Sequence, residues 1–570
     1  MKKYLQWFGH VVRPCSGAMT LMMVCHVLYA VCAVAFVYAC KQLVDVAVAV
    51  YSGRPAETGI WSWFSVLASV VIVRIAINAF RSYLQTKTEI KIKNALRRRL
   101  FDILLHVQSD GGKKHHSGDI LNRIQEDVRL VSSAFAVSIP NMIGTGLQFL
   151  AALAFFLYLD MRLALAIVII VPVGIVAGRY ISLRIRSLTR DIRNNDSKVQ
   201  EHIQESVQHL TLLQTMEHAS TSSDELQDLQ DGLYKSEIRR TKFSVISRIF
   251  ISLAFQVGYL VAFMWGVLGI STGTVTYGLM TAFLQLVGQI QRPLLDLSSQ
   301  IPSIIHSTAS IDRILEIESL PQEDMAEPVL LNGPVGVRIT DLRFAYPESQ
   351  KKIFDSFTFD FAPGSRTAIV GPTGVGKTTL IRLLLALLKP QSGNIQLYTA
   401  VRSENSVLQA SGTFPNAPAP RAAEQNRVEA VSAATRCNLV YVPQGNSLFS
   451  GTIRENLLMG NPEATEQQLQ EVLHIAAADF VNALPAGLDS QCFEAGAGLS
   501  EGQAQRIAIA RALLRPGSIL LLDEFSSALD AETETLLMER LTQSLPHHTM
   551  IFITHRDKII DYCTGVLRLS

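Results

Sequence analysis

The chain has 570 residues, too many for a single hydrophobic core, so two or three domains are expected. Hydrophobic residues make up 48%, charged residues only 18%, and mean hydropathy is +0.24, which excludes an ordinary soluble composition and puts part of the chain in lipid. A formal charge of +2 excludes the global basic field that nucleic acid binding needs, and seven cysteines with neither metal-ligand spacing nor a disulfide framework read as reduced, apolar fillers.

A hydrocarbon core of about 30 Å takes about 20 apolar residues as a helix, which satisfies its own backbone groups there. Six such stretches are predicted, at about 14–40, 60–80, 133–159, 161–183, 249–270 and 275–297. The first carries no charge from Pro14 to Cys40, which is too long for the core of a secretory signal. The uncharged run from Ile249 to Gln291 exceeds one span, and Ser271-Thr-Gly-Thr-Val-Thr-Tyr-Gly278 divides it. Connections after spans one, three and five are short and nearly neutral, whereas those after two and four, Arg81 to Arg129 and Arg184 to Lys242, are long and basic. This positive-inside pattern predicts a multi-pass protein of a cell membrane with both termini in the cytosol. Apolar residues such as Ile90, Leu96, Leu100 and Leu104 keep helical spacing among those charges, so helices are predicted to run well beyond the bilayer. Turn-rich tips are predicted at 109–116 and 210–217.

Arg74 is the most interior charge of the spans, and three readings stay open: it faces a translocation cavity, pairs with Asp45, or snorkels to an interface. His26 reads as a packing residue with its hydrogen bonds met rather than as a proton relay.

Residues 1–317 are thus expected to form an all-α membrane domain, 318–334 a linker marked by Pro321, Pro328 and Gly333, and 335–570 a domain of strands and helices that lies in the cytosol. Tyr346 offers a ring that can stack on a base. After the apolar strand end Thr367 to Val370 come Gly371, Pro372, Thr373, Gly374, Val375, Gly376, Lys377, Thr378 and Thr379, followed by a helix. Strand, glycine-rich turn and helix are the context of a phosphate-binding loop: backbone N–H groups turn inward, Lys377 reaches the β- and γ-phosphates, and the Thr378 hydroxyl ligates Mg2+. The segment 399–435, rich in Ala, Ser, Asn and Pro, reads as a disordered surface insertion. Ile519 to Leu522 is a fully apolar strand delivering Asp523 and Glu524 at its carboxyl end, where Asp523 suits metal and Glu524 suits water.

With Val442-Pro-Gln444, Leu499-Ser-Glu-Gly-Gln503, Ser527-Ala-Leu-Asp530 and Ile553-Thr-His555 in this order, nearly the whole chain resembles a half-size ATP-binding cassette exporter. The resemblance implies a six-span transmembrane domain fused to an α/β P-loop NTPase domain, with ATP and Mg2+ as ligands. It implies that Tyr346 stacks adenine, Gln444 meets Mg2+ and the membrane domain, Glu524 acts on water, and His555 contacts the γ-phosphate. Ser500, Gly502, Gln503 and Asp530 are implied to serve ATP on a second half-transporter, so a dimer is expected, identical or mixed. Glu501 departs from the glycine usual in the family and sets a carboxylate near a polyphosphate. The chain also ends at Ser570, soon after His555, which is expected to trim a family dimer contact but none of the chemistry.

The expected activity is ATP-driven transport of a hydrophobic or amphipathic small molecule, lipid or peptide, with membrane lipid as surroundings and no nucleic acid partner. An ATP-gated channel or regulatory subunit is the alternative from another class, against which the intact acids argue. Import on the same architecture is not separated from export.

Overall fold

The computed structural model describes residues 7, 9, 11, 13–53, 59–108, 117–159, 161–323, 326–346, 352–399, 427–493 and 498–570. The chain divides into two compact units. One comprises Met1–Asp102 with Ser117–Glu318, and the other Ser319–Ser570 with the described residues of Ile103–His116. The predicted tip at 109–116 lies outside the described residues.

The first unit is helical. Its long helices are α1 (Ser16–Tyr51), α2 (Ile60–Leu105), α3 (117–159), α4 (Met161–Gln208), α5 (Ala219–Ser271) and α6 (Tyr277–Glu318). Among the described residues, Arg13–Tyr51, Ile60–Leu105, Asp119–Leu159 and Ala219–Ser271 are long and apolar enough to cross a membrane. At 1.5 Å per residue, the 46 residues of α2 extend about 70 Å, more than twice a hydrocarbon core, so its basic half lies outside any bilayer its apolar half spans. The predicted tip at 210–217 is a short helix, Leu210–Thr215, followed by Glu217 in a left-handed conformation.

Two π-helical turns, Arg123–Asp127 and Ala134–Ser138, interrupt α3. The first rotates charged side chains toward the end of α6: Arg123 Nη1 donates to Glu316 Oε2 at 2.8 Å, and Arg313 grips Asp127 with both guanidinium edges. Farther along, Val37, Ala152, Phe156, Phe283 and Leu286 form a closed apolar cluster, with Phe283 meeting Phe156 and Trp265 edge-on at 5.3 and 5.0 Å. Such crossed rings place positive edges on negative faces.

Two readings of the spans are corrected. Arg74 does not pair with Asp45; its Nη2 donates to the Tyr29 hydroxyl at 3.0 Å, while Asp45 accepts from Lys41 Nζ at 3.1 Å and from the Gly278 backbone N–H at 2.9 Å. Lys41 is one turn away on the same helix and therefore always within reach of Asp45, as i and i+4 residues are. His26 is buried, but only half satisfied: Nδ1 accepts from Arg81 Nη1 at 3.2 Å, and Nε2 has no partner among the described residues.

The second unit is an α/β domain. An antiparallel sheet of β1 (Val335–Ala345), β2 (Lys352–Phe361), β4 (Ser392–Thr399) and β5 (Val428–Ala430), in the order β2-β1-β4-β5, covers one side. A five-stranded parallel sheet forms the centre, from β3 (Arg366–Val370), β6 (Leu439–Val442), β7 (Ile519–Asp523), β8 (Thr549–Ile553) and β9 (Gly565–Arg568). Its order is β9-β3-β8-β7-β6. Every residue of β7 and β8 is buried, as parallel strands covered on both faces require.

The expected insertion 399–435 is corrected at both ends. Thr399 belongs to β4, residues 428–430 pair with it as β5, and Thr435 is buried within the short 3-10 turn Ala434–Asn438. Residues 400–426 lie outside the described residues. The stretch misreads because Val428–Ala430 is too short for alternation to show, and its order comes from partner strand β4.

Candidate nucleotide site

The site is built from the carboxyl ends of four neighbouring parallel strands. Helix α7 (Lys377–Leu384) follows β3 through the glycine-rich turn, His555 follows β8, Asp523 and Glu524 end β7, and Gln444 follows β6. The register aligns them, since Ile553 is level with Ile369 on one side and Asp523 on the other, and Val442 with Leu522. Strands about 4.8 Å apart therefore deliver Lys377, His555, Glu524 and Gln444 in a row. Lys377 Nζ lies 2.6 Å from His555 Nε2, His555 Nε2 lies 3.7 Å from Glu524 Oε1, and Gln444 Nε2 donates to Glu524 Oε2 at 2.6 Å.

The turn needs its glycines. Gly376 has φ of 112°, and a Cβ there would run into Ile353 Cγ2, so no other residue could cap α7 in this pose. Lys377 is folded inward, donating to the Gly371 carbonyl at 2.6 Å, and Tyr346 touches the start of α7 through a 3.1 Å hydroxyl contact with Thr379. The Tyr346 ring rests edge-on against Phe344. Gly371, Pro372, Thr373, His555 and Arg568 line one concave surface. Helix α7 stops earlier than the apolar run to Leu388 predicts, because Ala386 turns left-handed at φ of 52°.

Burial sets the charges. It pushes the Asp523 carboxyl above the usual range, as does the neighbouring Glu524, while Lys377, Arg382 and the hydroxyl of Tyr441 pull the other way. Burial lowers the Lys377 ammonium, against the pull of Glu524 and Asp523. The Tyr441 phenol, half-buried beside Asp523, is pushed up to about 12, chiefly by desolvation. Tyr441 was not singled out from the sequence; as a polar ring in the otherwise apolar strand Leu439–Val442, two residues before the level of Asp523, it is the signal that was there to find.

Glu524 has φ of 46°, a conformation that strains any residue with a Cβ, and its N–H is fixed to the Ile553 carbonyl at 3.0 Å. This turn sends the carboxylate back across β8 toward His555 instead of onward with the chain.

The remaining predicted residues stand apart from that row. Ser500 caps α10 (Glu501–Leu513; α8 is Ile453–Leu458 and α9 is Glu466–Ile475) in a capping box with Gln503, whose N–H donates to Ser500 Oγ at 3.2 Å. Gly502 is packed so that a Cβ would meet the Ala528 carbonyl at 2.7 Å. Asp530 caps α11 (Ala531–Ser544) by accepting from the Thr533 N–H at 2.8 Å, which holds its carboxyl below the usual range. Among the described residues, none of Ser500, Glu501, Gly502, Gln503 or Asp530 bonds to Lys377, Glu524 or His555. One residue of α10 does reach the row: Gln505 donates to the Glu524 carbonyl at 3.4 Å.

Residues 19–294 match the family model described as ABC transporter transmembrane region, and residues 354–527 match the model described as ABC transporter. A fatty acid ABC transporter ATP-binding/permease protein of Mycobacterium bovis is 30% identical over 441 residues, which are 77% of this chain and 66% of that protein. An ATP-dependent lipid A-core flippase of Pseudomonas fluorescens is 27% identical over 583 residues, covering all of this chain and 91% of the relative. The solved structure of a bacterial Atm1-family ABC exporter with ATP bound shares the fold, with a TM-score of 0.77 at 22% identity, over 98% of this chain and 94% of that one. With its helical membrane region followed by one nucleotide-binding cassette, the chain belongs to the ABC transporters and has the half-size exporter arrangement.

Proposed function

We propose that this chain pumps a hydrophobic or amphipathic substrate out across a cell membrane, driven by ATP hydrolysis in a dimer of cassettes. The carrying observation is the row of Lys377, His555, Glu524 and Gln444 on adjacent strand ends. A phosphate entering the turn offers Lys377 a stronger partner than the Gly371 carbonyl, because a charged acceptor roughly doubles a hydrogen bond. Glu524 then takes a proton from water as its oxygen attacks the γ-phosphorus and the bond to the bridging oxygen breaks. Gln444 holds the Glu524 carboxylate from one side, and His555 stands between it and Lys377. Tyr346 offers its ring to adenine.

The donor set fits Mg2+: Asp523 is a buried carboxylate short of positive charge, and the Thr378 hydroxyl and the Gln444 amide add oxygens suited to a hard cation. Bound there, the ion would offset charge on the β- and γ-phosphates. Ser500, Gly502, Gln503 and Asp530 are read as facing the nucleotide of a second cassette, since they do not join their own row, and a two-fold dimer is the simplest closed arrangement. The cassettes are read as cytosolic, where ATP is. Relatives named for fatty acid and lipid A-core support amphipathic cargo.

The test is ATP turnover by the full chain in lipid nanodiscs. Lys377→Ala and Glu524→Gln are each expected to lower turnover by about 100-fold or more, the usual scale for removing one preorganised charged group. Unchanged turnover in Glu524→Gln would overturn the assignment.

A further inference from the structure

Charges inside membrane-spanning helices are costly and stay only where something compensates them. The apolar half of α2 carries Arg74, and Arg81 follows at its border, seven residues on and thus on the same helix face, with Asn78 between them. Among the described residues no carboxylate pairs with either arginine. Asp45, the acid of α1, lies 16 residues beyond Tyr29 on the same helix and is held by Lys41 and the Gly278 N–H.

Among the described residues, the groups that touch the arginines are neutral. Both guanidiniums lie over the ring of Tyr29 on α1, at 4.8 and 5.2 Å from its centroid. Arg74 also donates to the Tyr29 hydroxyl, and Arg81 donates to Asn78 Oδ1 at 2.7 Å and to His26 Nδ1. These partners orient two positive forks but cancel neither charge. Donors are left over as well. Arg81 Nε and His26 Nε2 are buried without partners among the described residues, and His26 as a whole is 3% exposed. Because Nδ1 accepts from Arg81, a neutral His26 carries its proton on Nε2 and is a donor there. Gly144 on α3 makes room for this imidazole, since a Cβ at that position would collide with the ring.

We propose that Arg74, Arg81 and His26 form a binding site for the anionic headgroup, phosphate or carboxylate, of an amphipathic molecule drawn from the bilayer. Two arginine forks and a leftover imidazole N–H supply donors with no competing anion among the described residues, the arrangement that suits planar or tetrahedral oxyanions. The apolar tail follows from the setting. Ile72 and Ile75 on α2 and Val27 and Val31 on α1, close in sequence to Arg74 and Tyr29, are exposed, so the helices around the cluster present apolar surface; a hydrated inorganic ion would lose its water to reach it, whereas an acyl chain brings the headgroup along. The site deepens the transport reading by naming a substrate class, and it rests on that reading only for what happens after binding.

The test is therefore binding without ATP. Purified full-length protein in nanodiscs of phosphatidylcholine is titrated with dodecyl phosphate, with dodecanol and dodecyltrimethylammonium as matched neutral and cationic probes. Wild type is expected to prefer dodecyl phosphate by about tenfold or more, the scale of one or two hydrogen bonds to a charged group. The pair Arg74→Gln and Arg81→Gln is expected to lose that preference, while Arg74→Lys with Arg81→Lys keeps most of it. Size-exclusion elution and thermal midpoint show that each variant is folded. Replacing a fifth of the lipid by phosphatidylglycerol distinguishes sources: competition means that a bulk lipid headgroup fills the site, and no competition means that a free amphiphile does. A wild type without anion preference, or a folded glutamine pair that retains it, overturns the proposal. Neither result touches the ATP turnover test, so failure here and failure of the transport reading are separable.

Discussion

Glu524 combines a strained backbone with the role proposed for its carboxylate. Its left-handed backbone costs about 1–2 kcal/mol in a residue with a Cβ, held by the bond from its N–H to Ile553. Glu524→Gly and Glu524→Ala both remove the carboxylate, yet only glycine relieves the backbone. The glycine variant is expected to melt higher than the alanine variant by about 1 kcal/mol of stability, the reverse of the usual order, as thermal denaturation of the full chain will read. Asp523 stores a different penalty. Its carboxyl is raised above the ordinary value, chiefly by burial, so the charged form burdens the folded state at neutral pH and the burden lifts as pH falls through the raised value. Asp523→Asn should therefore raise the thermal midpoint at pH 7, with the gap to wild type closing in acid, while ATP turnover is lost.

At the scale of elements, the parallel sheet works because its strands end level. The apolar runs of β3, β7 and β8 are evident in the sequence, as are the motifs that follow them, because a strand buried on both faces reads as continuous Ile, Leu and Val. Strand order is another matter: β3 and β7 are separated by about 150 residues, and only packing inserts β8 between them. The segment after Glu318 is tied down in a way no composition reveals. Asn438, fully buried, donates to the Val329 carbonyl at 2.7 Å and accepts from the Leu331 N–H at 2.7 Å, and Arg436 grips Glu323 with both edges at 2.9 and 2.7 Å. Asn438→Ala strands two backbone groups in the interior, each worth about 1–3 kcal/mol when unsatisfied. A loss of about 2 kcal/mol or more, with faster proteolysis after residue 318, is expected; an unchanged cleavage rate would show that Arg436 and Glu323 suffice.

For the whole molecule, pairing turns on Glu501. Its carboxylate sits in the first turn of α10, where it complements the positive end of its own helix. A phosphate approaching that same end would meet it as a like charge. Glu501→Gly is expected to tighten ATP binding by a dimer severalfold, most at low ionic strength, and a calorimetric titration at two salt concentrations checks both. The same experiment run with mass measurement tells whether one kind of chain suffices. The sequence by itself determined the class of the protein: long uncharged runs can live only in a bilayer, and a glycine-rich turn between strand and helix, with two acids after a buried strand, are local patterns. What only the tertiary structure decided was partnership. The row from Lys377 to Gln444, the tie of Tyr441 to Asp523, the pairing of 428–430 with β4, and the gathering of two arginines around Tyr29 all depend on contacts between distant residues. Such contacts are fixed by packing and strand register, which no local pattern encodes.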